Sequence, residues 1–304
     1  EIDGDFYYVR SSGEVVNDCV YYISWTHGLK EAGYEDGKNI EITKLSAAAD
    51  TANCPTIADT LINNGSDLIY AIATPSVSAI KEKTTTIPVL FTAVTDPVKS
   101  GFVADVNNPG GNISGTSDMN PVKEQIDLLK AILPDAKTVA VLYCSSESNS
   151  AAQYALAKAQ IEALGMTCIE KTISAIDEAK SAVESLAGVA DAIYVPTDNT
   201  ISDSMTSVSA AANAVKLPLI VGEAGMVVNG ALATYGIDYY RLGKQTAEMA
   251  VKLLKADKPL DEIAKMAVVY QTDCVYAVNT DTAAALGITI PEEILSKATI
   301  YPSK

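Results

Sequence analysis

At 304 residues the chain is too long for most single cores and suits two domains. Hydrophobic residues make up 48% and charged ones 20%, the balance of an ordinary globular protein, which excludes long disordered spans. A formal net charge of −16 leaves no row of cations to meet phosphates, so nucleic acid is excluded as a partner.

Short apolar runs alternate with helical patterns along the chain. DFYYV (5–9) predicts a first strand ending at Arg10-Ser11-Ser12, and the helix after it closes in LKEAGY (29–34). NIEIT (39–43), DLIYAIA (67–73) and PVLFTA (88–93) predict further strands separated by helices, and Thr74-Pro75-Ser76 opens one of those helices. After the PGGN turn (109–112), ISGTSD (113–118) predicts a passage into a second half. PVKEQIDLLKAI (121–132) predicts a helix with Pro121 in its tolerated first turn and Val122, Ile126, Leu129 and Leu133 on one stripe. TVAVLY (138–143) then ends at Cys144-Ser145-Ser146, and a helix over 150–164 closes in IEALGM (161–166). TCIEKT (167–172), DAIYV (191–195) and PLIVG (218–222) predict strands. ALATYGID (231–238) predicts a return crossing, 239–255 a long helix, and AVVYQTDCVYAV (267–278) a third crossing.

The order of elements repeats between the halves. The economical reading is α/β: two doubly wound parallel-sheet lobes joined by a three-stranded hinge. One lobe takes residues 1–115 plus about 237–270, the other 116–236 plus about 271–304. Apolar strands that empty into polar clusters, such as IYVPTDNT and IYAIATPS, mark the carboxyl ends where open parallel sheets bind ligands.

Other chemistry finds little support. No GxGxxG turn or GxxxxGK[ST] loop occurs, and Gly243-Lys244 lacks the upstream glycine. His27, the single histidine, has no nucleophile beside it, and with five scattered cysteines it makes no zinc pattern. Neither an enzyme nor a cofactor or metal is expected. The odd cysteine count allows one or two disulfides, Cys19 with Cys54 preferred, or five small buried hydrophobes. No run of 18 apolar residues predicts a membrane span, and EIDGDFYYV has neither the basic start nor the apolar core of a signal, which leaves the compartment open.

FTAVTDP (91–97), PGGNISGTSDMNPVKEQIDLL (109–129), VLYCSSESNS (141–150), VPTDNT (195–200) and LATYGIDYYRLGKQ (232–245) resemble the ABC-transporter substrate-binding proteins of the tryptophan/tyrosine type. The resemblance runs from about 28 to 290 and implies the two-lobed periplasmic-binding-protein fold. It also implies a small solute, an aromatic amino acid above all, held by hinge closure, with an ABC permease as partner. A monomer is implied, periplasmic or lipid-anchored at the outer face of the membrane. A sensing domain of a receptor or regulator, or a nucleoside- or sugar-binding protein, is the alternative on the same fold.

An amino-acid ligand needs donors for its carboxylate and an acceptor for its ammonium. The N–H groups of Ser76, Val77 and Ser78 after Thr74 are candidate donors, and Ser145, Ser146, Ser148 and Asn149 offer the same from the other half. Asp198 is the first candidate for the ammonium, with Glu223 and Asp238 behind it. Ser11, Ser12, Ala93, Asp96, Thr197 and Asn199, at other strand ends, complete the candidate set. Thr74, Ser145 and Asp198 also suit helix caps, Asp96 a turn, and Glu147 a solvent-facing position. Tyr8, Tyr235 and Tyr239 are candidates for stacking on an aromatic ligand, whereas Trp25 reads as packing.

Overall fold

The structure, a computed structural model, describes residues 5–8, 24–47 and 51–301. Ser11, Ser12 and Cys19 lie outside the described residues. The chain divides into two compact lobes, residues 1–119 with 238–272 and residues 120–237 with 273–304. It therefore passes from one to the other three times.

Lobe I begins with β1 (Asp5–Tyr8), a helix α1 over 24–31, β2 (Glu41–Lys44), α2 (Cys54–Asn63), β3 (Ile69–Ile72) and α3 (Thr74–Lys81). β4 (Val89–Val94) and β5 (Ile113–Ser117) follow. Lobe II supplies α4 (Val122–Ile132), β6 (Thr138–Cys144), α5 (Ser148–Ala163), β7 (Thr167–Ile173), α6 (Ala179–Glu184) and β8 (Ala192–Val195). It continues through α7 (Asn199–Asp203), α8 (Met205–Ala214), β9 (Leu219–Val221), α9 (Ala224–Val228) and β10 (Ala233–Gly236). The chain returns to lobe I for α10 (Tyr239–Lys255), α11 (Pro259–Ile263) and β11 (Val269–Tyr270). It ends in lobe II with β12 (Val275–Asn279), α12 (Thr280–Leu286), α13 (Glu292–Leu295) and β13 (Ala298–Tyr301).

Parity along each strand builds the cores. In lobe II, Val139, Val141, Tyr194 and Ile220 face a cluster with α4 and α5, through Ile126, Leu129, Ala157 and Ile161. Their neighbours Ala140, Leu142, Ile193 and Val221 face the other way, against Val183, Val208 and Met226 of α6, α8 and α9. Lobe I repeats the arrangement. Ile69, Ala71 and Phe91 pack on α2 and α3, while Tyr70, Ile72 and Leu90 pack on Trp25 and Leu29 of α1 and Ala247 and Ala250 of α10. Trp25 is fully buried and stacks on Tyr70, with centroids 4.4 Å apart, so it is packing as read from sequence.

The sheet of lobe II runs β13-β12-β10-β9-β8-β6-β7; in lobe I, β11-β5-β4-β3 form one sheet and β1-β2 pair separately. Among the described residues the strands pair in parallel, as the sequence reading expects of the lobes, except that β10 and β12 are antiparallel, Ala233 opposite Val278. β10 leads the chain out of lobe II and β12 brings it back, so the two strands run in opposite senses.

Some boundaries differ from the sequence reading. Helix α5 starts at Ser148 rather than 150, whereas α10 spans 239–255 as expected. The stripe of α4 holds, with Val122, Ile126 and Leu129 buried and Leu133 partly so, although Pro121 occupies the cap rather than the first turn. Cys54 sits in the lobe I core. Among the described residues Cys144, Cys168 and Cys274 are free thiols, and burial pushes the Cys168 thiol up to about 11.

Candidate functional site

In each lobe the polar residues gather where the parallel strands end. In lobe I, Ala73 follows β3 at φ 70° and ψ 154°, a region essentially reserved for glycine. Ala93, within β4, sits at φ 54°, where the β4–β5 register shifts between Phe91 and Val94. Both turns re-aim the backbone at strand ends, and Ala73 serves as the N-cap of α3 without a side-chain bond. Thr74 is therefore inside the helix rather than its cap, and it is buried together with Ser76. The Val77 N–H, expected to be free, donates to Ala73 O at 3.4 Å and opens the helical ladder.

The same lobe contains a buried carboxyl that sequence reasoning missed. Asp118, just past β5, accepts from Thr95 Oγ1 at 3.1 Å and from the Tyr239 hydroxyl at 3.4 Å. Burial raises it to about 6, against the lowering effect of those two hydroxyls. A strand ending in SerAsp was the available signal; ISGTSD was read only as a crossing. Asp96 accepts from Lys99 N at 2.9 Å and so holds a turn, as its alternative reading had it. Asp238 caps α10, accepting from Tyr240 N at 2.9 Å and Arg241 N at 3.3 Å. Its own N–H donates to Gln271 Oε1 at 3.0 Å.

In lobe II the expectation for Glu147 is overturned. Its side chain is not solvent-facing: it is buried, and its two oxygens accept from Asn149 Nδ2, Asn199 N and Nδ2, and Thr200 N and Oγ1 at 2.7–3.1 Å. One residue thus ties the loop after β6 to the loop after β8. Asp198 makes the second tie, with Oδ2 accepting from Cys144 N at 2.7 Å and Ser150 Oγ at 2.8 Å. Its Oδ1 accepts from Ile201 N at 2.9 Å and caps α7. Burial, with the Glu147 charge behind it, pushes Asp198 up to about 8. Glu223 caps α9 through Met226 N at 2.8 Å and Gly225 N. Every acidic candidate for a ligand ammonium in this lobe therefore already accepts several donors of its own lobe.

Ser145, Ser146 and Ser148 are exposed. Ser145 Oγ donates to Ile173 O at 3.2 Å and Ser146 Oγ meets Cys144 Sγ at 3.2 Å; the cap of α5 is Glu147, so Ser145 is not a cap. Asn149 and Thr197 are joined by an Asn149 Nδ2 to Thr197 O bond of 3.0 Å. Tyr235 packs on Tyr276 with centroids 4.5 Å apart. Of Tyr8 only the backbone, in β1, is described. Among the described residues no group of three or more metal-ligating side chains forms a metal site, and no helix is long and apolar enough to cross a membrane.

Two doubly wound lobes with polar strand ends and three connecting passages define the two-lobed solute-binding class. Its fold recurs in an Agrobacterium vitis ABC transporter solute-binding protein with bound allitol, at TM-score 0.63 and 15% identity over 93% of this chain and 97% of that one. The particular family is the ABC transporter substrate-binding proteins, to which this chain belongs: the model of that family matches residues 22–301. A tyrosine-binding protein of Clostridioides difficile (strain R20291) is 39% identical over 261 residues, 84% of this chain and 76% of that protein. The crystal structure of a Streptococcus pneumonia ABC domain in complex with L-Trp has TM-score 0.92 and 34% identity, covering 99% of this chain and 100% of that one. The ligand-free, open structure of a Clostridium difficile substrate-binding protein with adhesive properties has TM-score 0.75 and 36% identity, with the same coverage. The family is defined by substrate binding for transport, and the members that serve importers work outside the cytoplasm.

Proposed function

We propose that this protein captures a free aromatic amino acid, tyrosine or tryptophan before phenylalanine, at its polar strand ends and presents it to an ABC permease. It works as a monomer, periplasmic or tethered by a lipid to the outer face of the membrane. Thr74 and Ser76 of lobe I and Ser148, Asn149 and Thr197 of lobe II supply the polar contacts, and the three passages act as the hinge. The observation that carries this reading is the 39% identity to a protein named for tyrosine binding, joined by 34% identity to one solved with L-Trp. Strand ends rich in hydroxyls and amides, with acidic groups already occupied, suit a ligand that is neutral overall and has polar groups at one end.

Thermal-shift screening against the twenty amino acids, nucleosides and small sugars tests it. A ligand at a hundredfold excess over its Kd adds about 2.7 kcal/mol of native-state stability, which is several degrees in Tm. Tyrosine, tryptophan or phenylalanine is expected to give that shift. A response to nucleosides or sugars alone overturns the reading.

A further inference from the structure

Around Thr197 nearly every polar atom is matched. Asn149 Nδ2 donates to Thr197 O at 3.0 Å and to Glu147 Oε2 at 3.1 Å. Gln153 Oε1 accepts from Thr197 N at 3.2 Å and from Thr197 Oγ1 at 3.1 Å. The far ends of the same two amides are different. Among the described residues no donor reaches Asn149 Oδ1 and no acceptor reaches Gln153 Nε2. The two side chains are only 6% and 0% exposed.

Turning the amides over does not help. A flipped Asn149 would aim its oxygen at two acceptors, and a flipped Gln153 would aim its NH₂ at the Thr197 N–H. The two residues lie four apart on α5 and so share one face. One offers an unmatched acceptor and the other an unmatched donor. Buried unmatched groups are costly, and two of opposite sense beside a candidate ligand loop form a pattern that a ligand can complete. An α-amino acid carries adjacent groups of that kind: an ammonium that only donates and a carboxylate that only accepts.

We propose that Asn149 Oδ1 accepts from the ligand's ammonium while Gln153 Nε2 donates to its carboxylate, forming the lobe II grip on the zwitterionic end. The assignment rests on the amino-acid reading above and makes Gln153, absent from the sequence candidates, a specificity residue. Both groups are neutral amides, so the grip recognises the zwitterion by hydrogen-bond sense.

Calorimetry with L-tyrosine, tyramine, which lacks the carboxylate, and 3-(4-hydroxyphenyl)propionate, which lacks the ammonium, tests it. Gln153→Glu keeps an oxygen facing Thr197 but replaces the donor by an acceptor; it is expected to weaken L-tyrosine at least tenfold without weakening tyramine. Asn149→Ala also removes the bond to Thr197 O, so some loss is common to all three ligands, and it is expected to weaken L-tyrosine and tyramine at least tenfold more than the propionate. For analogues too weak to measure, the Gln153 side-chain amide NMR resonance, assigned by its loss in Gln153→Glu, is expected to shift on saturation with L-tyrosine. Equal losses for all three ligands, no loss, or an unmoved resonance means that the two atoms hold a bridging water only and overturns the grip. A wild-type protein that binds none of the three aromatic amino acids overturns the parent reading and the grip together. Wild-type binding with variants blind to ligand chemistry defeats the grip alone.

Discussion

Asn120 holds Ile237 across 117 residues of sequence: its Oδ1 accepts the Ile237 N–H at 3.3 Å. Asn120 is the first residue of lobe II after the outward passage, and Ile237 is the last before the return. The other end of the same side chain, Nδ2, donates to Thr197 Oγ1 at 3.2 Å. A single buried amide thereby connects two of the three passages to the loop after β8. Asn120→Ala strands the buried Ile237 N–H and is expected to cost about 1–3 kcal/mol, read as a lower urea midpoint with unchanged slope. A midpoint within error of wild type would show that this bond adds nothing to the fold.

Gly222 follows β9 and lies against the same loop. A Cβ built there would lie 2.5 Å from Thr197 N and 2.7 Å from Pro196 C, and backbone atoms have nowhere to yield. Gly222→Ala is expected to cost about 1–3 kcal/mol by overpacking and, by displacing Thr197, to weaken amino-acid binding. Denaturant unfolding and calorimetry on the same preparation check both effects. Stability loss with unaltered affinity would separate Thr197 from the ligand.

Stability should fall as pH rises through the range in which most carboxylates have already ionised. Asp198 is held up to about 8 by burial and Glu147, and Asp118 to about 6 by burial, both above the value of about 3.9 for an unfolded aspartate. Between about pH 4 and pH 8 the native state binds more protons than the unfolded chain, so the stability these protons confer is complete below about pH 4 and lost as pH climbs through the folded values. The expected outcome is a higher urea midpoint at pH 5 than at pH 8.5. Asp198→Asn, whatever its absolute stability, should flatten the slope between pH 6 and pH 8. An unchanged slope would show that Asp198 ionises below this window.

Much of the fold was legible because strands buried on both faces read as unbroken apolar runs. Ile69–Ile72 and Ala192–Val195 are buried at every position. The duplication was legible from the polar tails that follow them. The reversal of β12 was not, since a strand's direction depends on where the chain re-enters a lobe and leaves no mark in its own residues. Glu147 was misread for a related reason: its burial depends on Asn199 and Thr200, more than fifty residues away, and among serines it carries no local sign of that. Ala73 and Ala93 hid their conformations, because alanine gives no cue for positive φ where glycine would have. Gln153 carries no mark in the sequence, since an unmatched atom is visible only once its matched neighbours are placed.

The convergence on Glu147 has a thermodynamic consequence for recognition. Five donors from three residues immobilise the turns after β6 and β8 when lobe II folds. The entropy of ordering these turns is then met once, in folding, and is not deducted from each encounter with solute. A guest arriving at this half meets a preorganised mould, so differences in residence time among similar solutes should reflect their own fit more than any loop rearrangement.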